Sequence, residues 1–161
     1  MARIETPEAI MTYKLAKVYV DPSDVIALGN QMVKIGLDRM IVGGFWILDI
    51  NGGIEFYSPE FRRVLGYEGE EDFPNVPESW QKAIDPYNQK EALEAFEKHM
   101  KDEKNSYYLP VVYNKKGGGK VGLYCAGSIV NRGDPNPIML GTHEVDSKIL
   151  REYQNRSKRS A

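Results

Sequence analysis

The fold is decided by residues 44–67, GFWILDINGGIEFYSPEFRRVLGY. Phe45 to Ile50 is rich in aromatic and branched residues, which favour a β-strand. Asn51-Gly52-Gly53 follows, and these residues tolerate the positive φ angles that a tight hairpin needs. Ile54 to Tyr57 predicts the returning strand, and Ser58-Pro59 is typical of a helix N-terminus. This stretch therefore predicts a β-hairpin followed by a short helix.

The last third of the chain carries three more strand patterns. They are Ser106 to Tyr113, Val121 to Val130 and Pro137 to Val145, separated by loops rich in Gly, Asn and Asp. Two strands joined by a tight turn and three in a meander, with helices between them, indicate an α+β domain on a mostly antiparallel sheet. The regular strand–helix alternation of a doubly wound fold is missing.

Two stretches of helical periodicity accompany these strands. Val25 to Ile41 has apolar residues at helical spacing, and Gly43-Gly44 is expected to end that helix. Such an apolar stripe must be covered either by the chain's own sheet or by a partner subunit. A later helix is predicted to bury Leu93, Phe96 and Met100 along one face.

Length, charge and composition fit one soluble domain. The chain has 161 residues, enough for a sizeable core, and a formal charge of -2 gives no reason to expect nucleic-acid binding. No segment approaches the roughly 20 apolar residues that span a bilayer, and the N-terminus lacks a signal-peptide pattern. The single cysteine fits a reducing compartment. We therefore expect a cytoplasmic protein without a membrane segment.

Local motifs point to a known family. Gly44 to Asp49 looks like an opening strand with its glycine, tryptophan and aspartate, and Tyr57 to Tyr67 is similar to a "YS..f...LGY" signature. Trp80 and Ile84-Asp85-Pro86 are similar to a tryptophan and a helix entrance that follow it. This ordered set, over about Val25 to Asp146, resembles the PAS domain. The resemblance implies a PAS fold: a five-stranded antiparallel sheet with helices on one face, plus an N-terminal amphipathic helix and a short C-terminal helix.

The resemblance also divides the chain and implies a role. We expect an N-terminal extension at 1–21, an amphipathic flanking helix at 22–43, the PAS domain at 44–146 and a basic C-terminal helix or tail at 147–161. PAS domains of bacterial sensor kinases and related two-component proteins are sensory modules, not enzymes. A small-molecule ligand or protein partner would therefore signal through the flanking helices to a downstream protein or output domain.

Several positions depart from the family pattern. Asp85 stands where a histidine is usual, and Tyr87-Asn88 replaces an acidic pair. Val112 takes roughly the place of a common arginine, and Gly122 or Leu123 that of a common tryptophan. The polar pairing that usually links the last strands is therefore expected to be rebuilt or absent.

In a PAS fold, the inner sheet face and the long helix can enclose a cavity. Buried tyrosines need hydroxyl partners, so a cluster of them could grip a polar ligand. A filled core is the alternative, and strand alternation alone does not decide which side chains face inward. The candidate pocket residues are Trp46, Tyr57, Phe61, Trp80, Phe96, Tyr108 and Tyr124.

The residues give little support for a bound haem or flavin cofactor. His99 is expected near the exposed end of its helix and is the one candidate haem ligand, whereas His143 matches an ordinary strand position. Cys125 lies in a strand pattern, where a small buried hydrophobe is expected. The Asn-Cys-Arg-Phe run of flavin-adduct relatives is missing. We therefore predict no metal site and no catalytic constellation. A haem- or flavin-bearing sensor and a ligand-free scaffold remain alternatives.

Self-association is a further expectation. Val25, Leu28, Met32 and Ile35 form the stripe of the N-terminal amphipathic helix, which needs cover. Since two-fold dimers are the commonest assembly, these four residues are the predicted homodimer interface.

Overall fold

A computed structural model of the chain describes residues 24–130 and 132–159. The predicted N-terminal extension, 1–21, lies outside these ranges. One antiparallel sheet has the strand order β2-β1-β5-β4-β3, so β1 pairs with both β2 and β5. The strands are β1 (Phe45–Asp49), β2 (Ile54–Tyr57), β3 (Tyr107–Asn114), β4 (Lys120–Ile129) and β5 (Ile138–Val145).

The helices lie on both faces of this sheet. They are α1 (Val25–Lys34), a 3-10 helix (Leu37–Met40), α2 (Pro59–Val64), α3 (Pro77–Ala83), α4 (Pro86–Lys101) and α5 (Ser147–Arg159). We call the face that packs on α2, α3 and α4 the inner face, and the face that packs on α1 and α5 the outer face. The predicted α+β class and five-stranded antiparallel sheet are confirmed. No helix in the described ranges has the length and apolar character to cross a membrane.

The outer face forms a closed apolar core under α1. Leu28 and Met32 are almost fully buried and pack with Phe45 and Phe56 of the sheet. Gly29 makes this approach possible, since a Cβ there would lie only 2.2 Å from the Phe56 ring. The close contact places α1 directly on the first hairpin.

The predicted continuation of α1 to Ile41 is wrong. The helix ends at Lys34, because Gly36 adopts the left-handed conformation (φ 86°), which a helix cannot continue through. A short 3-10 helix then leads towards β1. The apolar pattern continues past Lys34 because the side chains after the turn still contact the same core.

The predicted interface stripe is mostly covered by the chain itself. Val25, Leu28 and Met32 are at most 2% exposed against the chain's own sheet, whereas Ile35 is 38% exposed. These three side chains therefore do not offer a surface to a second subunit, which corrects their assignment to a dimer interface. Homodimerisation itself stays a prediction.

The predicted buried stripe of α4 also needs correction. Leu93 and Met100 are more than a third exposed, and the residues that α4 buries are Asn88, Ala92 and His99. The face of α4 that is buried is rotated by about one residue from the face that the hydrophobic pattern predicts. Polar side chains take buried positions here because the neighbouring strands supply hydrogen-bond partners.

Candidate ligand-binding site

A cavity of about 230 Å³ lies between the inner face of the sheet and the helices α3 and α4. It ends at the β1–β2 turn, where Asp49, Ile50 and the exposed Gly53 border it. Aromatic rings from three strands and both helices line it: Trp46, Tyr57, Trp80, Phe96, Tyr107 and Tyr113. Flat rings around a concave space are typical of small-molecule sites.

Arg62 fixes the segment that carries α3 over the cavity. Its buried guanidinium donates to the carbonyls of Tyr57 and Phe73 and to Asn75 Oδ1, at 2.7–3.0 Å. Asn75 Oδ1 also accepts the Tyr57 backbone N–H. The loop before α3 is thereby held against β2, and Trp80 is set opposite the sheet.

Two glycines make room for the Trp46 indole on the sheet. A Cβ at Gly141 would lie 2.0 Å from this ring, and one at Gly127 would lie 2.8 Å from it. The ring therefore lies flat across β5 and β4. Its Nε1 is buried without a hydrogen-bond partner among the described residues.

Four of the seven predicted pocket residues border the cavity. Trp46 and Tyr57 reach it from the sheet, and Trp80 and Phe96 reach it from the helices. Trp46 and Trp80 are the chain's two tryptophans. The indole fluorescence of the protein therefore reports directly on this space.

The other three predicted residues lie elsewhere. Phe61 is fully buried in the core without bordering the cavity. Tyr108 and Tyr124 belong to the outer face, where their rings stack at 5.3 Å and Tyr108 is 59% exposed. Because strand side chains alternate, these tyrosines point away from the cavity, and their assignment to it is corrected.

Tyr107 and Tyr113 line the cavity in place of Tyr108. They share the inner face of β3 with Leu109 and Val111. Sequence reasoning missed them because both alternating sets of this strand are mostly apolar or aromatic. The usable signal was Pro110, which belongs to the set that also contains the exposed Tyr108.

Glu55 is a buried acid on the inner face of β2. It is 4% exposed, and its Oε2 lies 3.2 Å from the Tyr57 hydroxyl oxygen. That hydroxyl has one hydrogen, which is needed for the closer contact of 2.7 Å to the Val76 carbonyl, a group that only accepts. The Glu55–Tyr57 contact is then a hydrogen bond only when Glu55 carries a proton. Burial raises the pKa of Glu55 to about 8, and the hydrogen bond that Trp80 donates opposes the rise.

Sequence reasoning missed Glu55 because a charged residue in a half-buried strand is expected to face water. Here α1 covers the outer face, so Phe56 points towards α1 and Glu55 points inward. Neither Glu55 nor Phe56 is exposed to solvent.

His143 borders the cavity from β5. It is 3% exposed, stacks on Phe61 at 4.2 Å and meets the Tyr113 ring edge-to-face. Neither ring nitrogen has a hydrogen-bond partner in the part of the chain that the structure describes. Burial lowers the pKa of His143 to about 3, so the imidazole is neutral with one donor and one acceptor unused. The expectation of an ordinary strand position missed this feature.

Cys125 also borders the cavity, from the inner face of β4, where it pairs with His143 of β5. Burial raises the pKa of its thiol to about 12, which disfavours the thiolate. A thiol that forms a flavin adduct in the light-sensing relatives stands on a helix. Cys125 is buried on a strand, so the residues present do not fit that chemistry.

His99 is buried, which corrects its predicted exposure, and both of its ring nitrogens are used. Nδ1 donates to the Asn105 carbonyl at 2.7 Å, and Nε2 accepts the Ile129 N–H at 3.2 Å. This arrangement leaves neither nitrogen for a haem iron. Within residues 24–130 and 132–159, no three His, Cys, Asp or Glu side chains come together as metal ligands.

A second feature connects α4, which covers the cavity, to the C-terminal helix α5. Asp85 caps α4 through the Tyr87 N–H, and its other oxygen accepts the Tyr153 hydroxyl of α5 at 2.6 Å. Where α5 crosses β4, a Cβ at Gly122 would lie 2.8 Å from Ile149. The departures from the family pattern at Asp85 and Gly122 therefore meet where α5 docks.

Comparison with known proteins identifies the family. A family model described as PAS fold matches residues 54–143, more than half of the chain. The chain belongs to the PAS fold family. PAS domains are generally sensory modules. No curated protein matches the chain.

Solved structures of PAS type share the fold. A sensory box histidine kinase/response regulator from Burkholderia thailandensis E264 is 18% identical, with 80% of this chain and 95% of that chain covered and a TM-score of 0.58. A light-oxygen-voltage domain studied with a flavin analogue is 13% identical, with 88% and 100% covered and a TM-score of 0.53. The N-terminal domain of a diguanylate cyclase with a PAS/PAC sensor from Marinobacter aquaeolei is 13% identical, with 67% and 96% covered and a TM-score of 0.53. At these identities, the likeness shows the fold alone.

Proposed function

We propose that this PAS domain is a non-catalytic sensor of a small molecule that enters the cavity between the sheet and α4. The observation that carries the proposal is the cavity itself, a space of about 230 Å³ that aromatic rings line and that the buried Glu55 borders. A concave, mostly apolar space with a few polar groups is the usual form of a small-molecule site.

The signal would leave through α5. The helix α4 forms the cavity roof through Ala92 and Phe96, and its N-cap Asp85 holds Tyr153 of α5. A ligand that shifts α4 would therefore change the geometry at Asp85 and the docking of α5. Such a relay needs two arrangements of α5 that differ in their affinity for the ligand.

Native mass spectrometry of the freshly purified protein tests the binding step. The expected result is an added mass of a few hundred daltons or less that is lost when the protein unfolds. If no mass is added, a screen of small aromatic compounds followed by tryptophan fluorescence gives the second test. Absence of both signals would contradict the proposal.

The Tyr153→Phe variant tests the relay step. It removes the hydrogen bond to Asp85 without touching the cavity, so ligand affinity should change little. The response of α5 amides in hydrogen exchange should be reduced. An unchanged response would show that Asp85 and Tyr153 do not transmit the signal.

A second candidate role is contact with a protein partner through the outer face. The stacked pair of Tyr108, which is exposed, and Tyr124, which is half-buried, favours it, since surface aromatic rings are typical of interaction surfaces. Replacing Tyr108 with Ser should then abolish partner capture and leave the cavity unchanged. The partner could be a second copy of the chain or a downstream signalling protein.

A further inference from the structure

The chemistry of the cavity near the β1–β2 turn narrows the class of ligand, if the proposed sensing role holds. Glu55 of β2 and Asp49 at the end of β1 both border this region, which we call the acidic end. In the register of the sheet, Glu55 aligns with Leu48 and Met139. His143 lies four residues beyond Met139, roughly 13 Å along the strand. The acidic end and His143 are therefore opposite ends of one elongated space.

The acidic end has carboxyl groups but no basic partner. None of the described lining residues is a lysine or an arginine. Glu78 of α3 adds a third carboxyl group near Glu55. Asp49 accepts the Gly52 N–H of the turn through one oxygen. A negatively charged ligand would therefore meet repulsion here and find no counter-charge.

Aromatic faces complete the surroundings of Glu55. The titratable and polar groups that face it from each neighbouring element are Tyr57 of β2, Glu78 and Trp80 of α3, Tyr107 and Tyr113 of β3, and Cys125 of β4. Electron-rich rings attract cations through their faces, and the attraction is strongest where water is excluded. Carboxyl groups and rings together form the surroundings that an ammonium group prefers.

We propose that the acidic end of the cavity binds an organic cation, an ammonium group carried on a small aromatic or apolar body, with Glu55 as its counter-ion. When the ammonium group enters, the Glu55 carboxyl loses its proton to solvent and pairs with the cation as a carboxylate. The proton balance is one released per cation bound from protonated Glu55. Binding is therefore coupled to pH.

A series of three probes of nearly equal size tests the charge preference. Benzylamine is cationic at pH 7, benzyl alcohol is neutral and benzoate is anionic. Titrations followed by tryptophan fluorescence should give a dissociation constant for benzylamine at least about tenfold below that for benzyl alcohol. Benzoate should bind more weakly than either.

Calorimetry in buffers of different ionisation enthalpy gives the proton count. At pH 7 close to one proton should be released for each benzylamine bound, and none for benzyl alcohol. The affinity for benzylamine should rise from pH 6 to pH 8, because Glu55 has progressively less of its proton to lose.

Glu55→Gln should remove both signatures, with benzylamine and benzyl alcohol bound within about threefold of each other and no proton released. The matched control Glu144→Gln removes a negative charge from an exposed position of β5 and should leave both signatures intact. Asp49→Asn, a second variant at the acidic end, should weaken the binding of benzylamine by a few fold. Circular dichroism confirms that each variant is folded.

Three results would overturn the proposal: benzyl alcohol or benzoate binding as tightly as benzylamine, benzylamine binding unchanged by Glu55→Gln, or no binding of any probe. In the first two cases the cavity still binds small molecules, and the sensing role stands. If no probe binds, native mass spectrometry of the purified protein decides whether the sensing role fails as well.

Discussion

On the outer face of the sheet, α1 covers an apolar core, whereas on the inner face α3 and α4 enclose a cavity bordered by buried polar groups. The same strands supply both. Phe56 points to the outer core, and its neighbours Glu55 and Tyr57 point to the cavity. The outer core therefore supplies stability, and the inner face carries free-energy costs that a binding site explains.

The largest effect should come from the outer core. Leu28→Ala removes buried methyl groups at a site held close to the sheet, so we expect the free energy of unfolding to fall by about 2–5 kcal/mol. Ile35→Ala, on the same side of the molecule but 38% exposed, should cost much less. Urea denaturation at pH 7 measures both. Equal losses would show that α1 does not dock as described.

The inner face should instead determine how the stability of the protein depends on pH. The pKa of Glu55 is raised from 4.5 to about 8, so between these values the folded state holds a proton that the unfolded state has lost. Stability is therefore greatest below pH 4.5 as far as Glu55 is concerned, and it falls as the pH rises towards 8, by on the order of a few kcal/mol.

Glu55→Gln should remove that fall, because the amide does not titrate. Urea denaturation between pH 5 and pH 9, for the natural protein and the variant, makes the comparison. The two curves should diverge towards pH 8. Parallel curves would show that Glu55 is ionised in the folded protein without cost.

His143 should affect the stability of the protein at acidic pH. Its pKa falls from 6.5 to about 3 on burial, so the unfolded state takes up a proton first and stability is lost as the pH drops from 6.5 towards 3. His143→Phe should abolish this loss. At pH 7 it should also stabilise the protein by about 1–2 kcal/mol, because a ring of similar shape replaces two unused nitrogens. A destabilised variant would mean that the nitrogens have partners in solution.

The smallest expected effect on stability is at the contact between the two regions. Tyr153→Phe removes the hydrogen bond to Asp85, which is worth about 0.5–1.5 kcal/mol. Phenylalanine keeps the ring on Lys120, whose ammonium lies 5.6 Å from the ring centre. Thermal unfolding measures the loss, with Tyr87→Phe, an exposed tyrosine at the start of α4, as the control.

The sequence predicted the inner and outer regions unequally. The first hairpin and the succession of strands and helices along the chain were predictable because turn residues and strand patterns are local signals. The end of α1 was not, since Gly36 gave no stronger signal than Gly43 and Gly44 until the backbone was known. Apolar patterning alone did not distinguish Tyr108 from Tyr107, because their faces depend on which side α5 and α4 cover, and Pro110 was the one usable signal. Glu55 was missed because a strand with both faces covered breaks the usual link between charge and exposure.

The central claim is that the cavity binds a small molecule and that its occupancy reaches α5. The most direct test is amide hydrogen exchange of residues 147–159, with and without the tightest-binding of benzylamine, benzyl alcohol and benzoate. We expect a change in α5 exchange that is reduced in Tyr153→Phe. A bound probe that alters the exchange of α4 and leaves α5 unchanged in the natural protein would contradict it.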